Sequence, residues 1–119
     1  MEEKRVSPRT SMLGVSAKVS MDGNSWQDVP VRDISSGGLG FVSDVQSTKG
    51  DMFKIEGEVS DFARSMEFAC DVKVVVCVPL PDGKFMCGVK YVDMPKAQQT
   101  GLSIFIELMV TKFPVLLVQ

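Results

Sequence analysis

Apolar and polar residues alternate through most of the chain, and that alternation marks strands. Val15, Ala17, Val19 and Met21 share one face of a half-buried strand. Asp22-Gly23-Asn24-Ser25 is a turn by composition, and Trp26 to Asp33 forms a second strand with Val29 and Val31 on one face. Ser35-Ser36-Gly37-Gly38 breaks the pattern, which resumes as a short strand from Leu39 to Val42. After a loop ending at Gly50, Phe53, Ile55, Gly57 and Val59 alternate again. The run from Phe68 to Val78 is long for a strand, and Phe68, Cys70, Val72, Val74, Val76 and Val78 share one parity. Pro81-Asp82-Gly83 supplies a hairpin turn, with Phe85, Cys87, Val89 and Tyr91 on the returning strand.

The period then changes. After Pro95, the apolar positions Leu102, Ile104, Phe105, Ile106, Leu108 and Met109 predict a helix over about 97–112 that Pro114 stops. Antiparallel strands of this length, about six in number and separated by turn signals, predict a closed barrel with the helix covering part of it. The fold class is therefore all-β with a C-terminal helix. Residues 1–12 are polar, contain Pro8 and read as a flexible N-terminal arm, leaving 13–119 as a single domain. The segment 113–119 is unusually apolar; it reads as packing on the barrel, the sharper alternative being an exposed patch for a partner or for dimerisation.

Composition narrows the function more than the fold. A chain of 119 residues is one domain's length, and 45% apolar with 24% charged residues is ordinary for a soluble globular protein. A net charge of −2 argues against broad electrostatic binding to nucleic acid or anionic lipid. There is no histidine, which removes the commonest general base and the commonest metal ligand together. With no nucleophile–base pair and no metal spacing either, the chain reads as a non-enzyme without a metal or cofactor. Cys70, Cys77 and Cys87 make an odd count without CxxC spacing and sit in Val-rich runs, as reduced, buried thiols do. No signal peptide and no spanning helix is expected, so the reading is cytoplasmic. Trp26 reads as core or barrel rim, and the eight methionines as core filler.

Two pieces carry candidate chemistry. Arg5-Val6-Ser7-Pro8-Arg9 places two of the chain's four arginines within the N-terminal arm. The guanidinium fork meets phosphate or the O6/N7 edge of guanine through two bonds at once, and its face stacks on purines. Taken alone, this pair reads as a solvated arm. Asp33-Ile34-Ser35-Ser36-Gly37-Gly38 lies between two strands. Its carboxylate can accept from the N1–H and N2–H₂ edge of guanine, and its serine offers a hydroxyl to phosphate or base. Gly37 and Gly38 let backbone approach a ligand closely or adopt positive φ. Alone, this piece reads as an ordinary turn.

Together, RxxxR followed by DxSxxG resembles the binding signature of the PilZ domain family. Asp33-Ile34-Ser35-Ser36-Gly37-Gly38-Leu39-Gly40-Phe41 is similar to that family's segment, and Gly88-Val89-Lys90-Tyr91-Val92 to its late strand. The resemblance implies a six-stranded antiparallel split barrel and a cytoplasmic bacterial receptor for the second messenger cyclic di-GMP. It implies that Arg5 and Arg9 hold phosphate and guanine from the arm, opposite Asp33, Ser35 and Gly38, with Lys4, Ser36, Gly37 and Gly88 as accessory positions. Lys4 stands where many members carry another arginine or an apolar residue, which leaves one or two bound ligands open. Ligand binding would order the arm into a surface for a downstream protein partner, the receptor being a monomer or homodimer. The alternative is a ligand-independent adaptor acting through the apolar C-terminal surface.

Overall fold

A computed structural model of the chain describes residues 14–60 and 64–112, the stretch 108–112 in backbone only. Among the described residues seven strands and one helix follow in order: β1 (Gly14–Ser20), β2 (Gln27–Val29), β3 (Val31–Ile34), β4 (Gly38–Ser43), β5 (Met52–Ser60), β6 (Ser65–Pro79), β7 (Phe85–Tyr91) and α1 (Lys96–Lys112). All strand pairs are antiparallel in a single sheet of order β2-β1-β5-β6-β7-β4-β3. The two outermost strands, β2 and β3, are consecutive in the chain and joined through Pro30, so the sheet curls into a nearly closed barrel.

The expected barrel and terminal helix are thus present, with seven strands where six were expected. The extra strand comes from dividing the segment 26–33. Pro30 has no N–H to give a ladder and interrupts pairing. Before it the chain pairs with β1, and after it with β4. The Pro30 carbonyl accepts from the Val42 N–H at 2.9 Å, tying the seam to β4.

Inward positions of the strands supply the core: Ala17, Val29, Leu39, Phe41, Phe53, Ile55, Val59, Phe68, Val72, Val74, Cys87 and Val89. Phe41 and Phe53 meet edge to face at 6.1 Å, as do Phe68 and Tyr91 at 5.9 Å. α1 lays Leu102 and Phe105 on the barrel, and Met94 is buried ahead of it. Gln98 Oε1 accepts from the Ala69 N–H at 3.0 Å, fixing the helix against β6.

Two sequence expectations fail locally. Met21 lies beyond the end of β1 and is 64% exposed. The shared parity from Phe68 to Val78 breaks after Val74, where Val75 bulges and the pairing steps from Val74↔Val89 to Val76↔Gly88. One extra residue reverses the faces of all that follow. Val76 and Val78 therefore point outward and are exposed.

Candidate functional site

The Asp33 segment crosses from β3 to β4 in a turn that the serine builds. Ser35 N–H donates to the Gly38 carbonyl at 2.8 Å. Ser35 Oγ donates to the same carbonyl at 3.2 Å and accepts from Gly37 N–H at 3.2 Å and Gly38 N–H at 3.3 Å. Tyr91 braces the turn from the neighbouring strand: its N–H donates to the Gly37 carbonyl at 3.0 Å and its hydroxyl to the Ser35 carbonyl at 3.3 Å. Burial raises the Tyr91 phenol above its ordinary value of 10.0, with Cys70 adding to the shift.

Neither Gly37 nor Gly38 has positive φ; that conformation belongs to Gly23, Gly50 and Gly83. Gly38 is needed instead because a Cβ there would lie 2.1 Å from the Val89 carbonyl oxygen, so it serves approach to backbone rather than turn geometry. Gly37 has open space around it.

Register reveals the site's floor. On the outer face, Asp33 (β3), Gly40 (β4), Gly88 (β7) and Val76 (β6) stand in one cross-strand row. The next row holds Gly38, Lys90 and Lys73, and the row on the other side Val42, Met86 and Val78. Two adjacent positions in the middle of the face, Gly40 and Gly88, carry no side chain of their own, and neighbouring side chains fold over them. Met86 and the Asp33 carboxylate both lie against the position above Gly40, and Val76 leans toward Gly88. Asp33, Ser35, Ser36 and Gly37 are exposed along the margin.

Lys73 and Lys90 face each other directly across β6 and β7. Like charges in that position oppose pairing, and neither lysine has an ion-pair partner among the described residues. This margin of the face is therefore cationic, and beside it the two glycine positions leave room that Met86, Asp33 and Val76 partly fill. Gly40, Lys73, Lys90 and Met86 escaped the sequence reading. Only their register places them beside Asp33, although Gly40 and Lys90 lie within segments that the sequence singled out. Lys4, Arg5 and Arg9 lie outside the described residues, so the structure brings together Asp33, Ser35, Ser36, Gly37, Gly38 and Gly88 alone.

The other outer face is acidic. Asp28, Glu56, Glu58 and Glu67 line a groove over β1, β5 and β6, relieved by Lys18, which lies 3.6 Å from Glu56. That groove is unsuited to an anion. Trp26 sits at the rim, 36% exposed, with Lys18 Nζ 6.0 Å from its ring centre. The methionines divide between core and surface: Met94 is buried, Met52 exposed. Among the described residues no group of His, Cys, Asp and Glu is placed to hold a metal ion, and no helix is long and apolar enough to cross a membrane.

The model of the PilZ domain matches residues 3–108, and the chain belongs to that family of generally non-catalytic, cyclic di-GMP-binding domains. Among solved structures, the chain is similar to that of the Bacillus subtilis inhibitor of motility MotI/DgrA, with a TM-score of 0.70 at 15% identity. The similarity covers 92% of this chain and 55% of that one, so the chain spans about half the length of the structure it matches. At this identity the likeness is one of fold. No curated protein matches the chain.

Proposed function

We propose that this chain is a non-catalytic receptor for cyclic di-GMP that takes the nucleotide on the outer face of β3, β4 and β7. The observation that supports this reading is the Asp33–Gly40–Gly88 row. It offers a carboxylate beside two positions without side chains, with the lysine pair one row away. A guanine seated over that row, with the Met86 side chain moved aside, presents its N1–H and N2–H₂ edge to Asp33, while Lys90 and the arginines of the RxxxR segment meet phosphate. Each charge-assisted bond contributes about 1.5–3 kcal/mol. Ordering the N-terminal segment costs about 1–2 kcal/mol per residue, so Arg5 and Arg9 are both needed for useful affinity. Ser35 acts mainly by holding the turn, because its hydroxyl is already engaged with Gly38. The ordered N-terminal segment then forms the surface that a downstream protein reads.

Calorimetric titration with cyclic di-GMP, beside GTP and cyclic di-AMP, tests the proposal. Saturable binding of cyclic di-GMP alone, lost in Arg9→Ala and in Asp33→Ala without loss of fold, is expected. No binding by the folded wild-type chain would overturn the reading.

A further inference from the structure

The floor of that face has a reverse side, and two of the three cysteines meet there. Cys77 on β6 and Cys87 on β7 are direct cross-strand partners. The hairpin closes with Leu80 N–H donating to the Lys84 carbonyl at 2.8 Å. Hydrogen-bonded and non-bonded pairs alternate from there, which assigns Cys77 and Cys87 to a non-bonded position. Directly opposed residues at such positions have Cα atoms about 4.5 Å apart, inside the range of about 4.4–6.8 Å that a disulfide spans. No strand has to slide for the two sulfurs to bond.

The two thiols differ in access. Cys87 is fully buried, and burial, followed by the neighbouring Cys77, pushes its thiol up to about 11. Cys77 is only half-buried, and its sulfur accepts from Ser47 N–H at 3.4 Å, in the loop between β4 and β5. Cys70 lies elsewhere on β6, opposite Ile55 of β5, and has no cysteine facing it.

We propose that Cys77 and Cys87 form a reversible oxidation site at which a hydroperoxide converts the facing thiols into a cross-strand disulfide. The half-buried Cys77 thiolate attacks the peroxide oxygen, giving a sulfenic acid and releasing hydroxide. The Cys87 sulfur then attacks the Cys77 sulfur, losing its proton as the S–O bond breaks and water leaves. The pair loses two electrons and two protons, and hydrogen peroxide is reduced to two waters. The new bond pins β6 to β7 next to Val76 and Gly88, at one end of the outer row that includes Asp33 and Gly40. It requires only this chain's own geometry and stands whether or not the nucleotide reading does.

The sequence makes the product easy to read. Trypsin cuts after Lys73, Lys84 and Lys90, which puts Cys77 and Cys87 in separate peptides and Cys70 in a third. Reduced full-length protein treated with hydrogen peroxide and mapped without reductant should yield Val74–Lys84 joined to Phe85–Lys90. The joined species should revert with dithiothreitol and be absent from Cys77→Ser, while Cys70 stays open to alkylation. In glutathione redox buffers the native chain should favour the crosslink by about ten-fold or more over the urea-unfolded chain, because the fold holds the sulfurs together where a loose loop does not. Two free thiols after peroxide, over-oxidation of Cys77 without crosslinking, or equal crosslinking of native and unfolded chains would each overturn the proposal. The unfolded control uses the wild-type sequence, so the comparison does not depend on a variant that folds.

Discussion

Individual glycines in the Asp33 segment separate by what surrounds them rather than by their sequence context. Gly38→Ala forces a Cβ into the Val89 carbonyl and should cost more than about 2 kcal/mol, as backbone clashes that cannot relax do. Gly37→Ala, one position earlier, meets open space and should leave the urea midpoint nearly unchanged, so the two variants together test the placement. Tyr91 sets a pH limit. Its folded pKa lies above the ordinary value of 10.0, so the neutral phenol is favoured by folding. That contribution is fully present below about pH 10 and falls away as pH rises toward the folded value. Urea midpoints measured from pH 8 upward should decline above about pH 10, and Tyr91→Phe should flatten the decline that remains attributable to this group. The phenolate also gives up its donor to the Ser35 carbonyl, so the turn loosens over the same range.

At the scale of elements, alternation read from sequence located almost every strand, because each has one buried face and a period of two. The hairpin between β6 and β7 was equally readable from Pro81-Asp82-Gly83. Gly83 there has φ +87 with nothing within contact of a built Cβ. Gly83→Ala should therefore carry only the left-handed backbone cost, about 1–2 kcal/mol, measurable by thermal or urea unfolding. Two features were hidden. A run of consecutive valines gives no sign of where one bulges, so Val76 and Val78 were assigned to the wrong face. The division at Pro30 depends on two different pairing partners, which local pattern cannot supply. The same limit applies to the site. Asp33, Ser35 and Gly38 could be picked out because they are close in sequence, and Gly88 through its strand. Lys73 and Met86 join them only through register across β6 and β7. The hydroxyl of Ser35 was expected to face a ligand, yet its bonds to the turn backbone give it a structural task first.

For the whole molecule, the two outer faces of one barrel carry different charge: carboxylates over β1, β5 and β6, lysines beside the glycine floor of β4 and β7. A net charge near neutral conceals that division. Raising ionic strength should therefore weaken cyclic di-GMP binding progressively, since the contacts proposed are charge-assisted and exposed. Substituting Lys90→Gln should lower both the affinity and its salt sensitivity while raising the melting temperature, because the opposed Lys73 loses its like-charged neighbour. Calorimetry at two salt concentrations and a thermal melt of the same variant read both signs. A binding loss accompanied by lower stability would instead assign Lys90 a packing role.

The seam at Pro30 bears on how the protein fares among other copies of itself. A seven-stranded sheet left flat would present two open rows of backbone donors and acceptors, a template onto which further chains could stack. Here the two outermost strands are successive parts of one segment, β2 paired with β1 and β3 with β4, so the two ends of the sheet meet in a single short stretch and little edge stays open. A fragment beginning at Val31 would lose β1 and β2 and lay bare the long flank of β5, with its nine residues. Light scattering should show such a fragment growing into oligomers at concentrations where the intact barrel stays dispersed. The proline that divides this segment between two pairing partners thus bears on how the protein avoids stacking on its own copies.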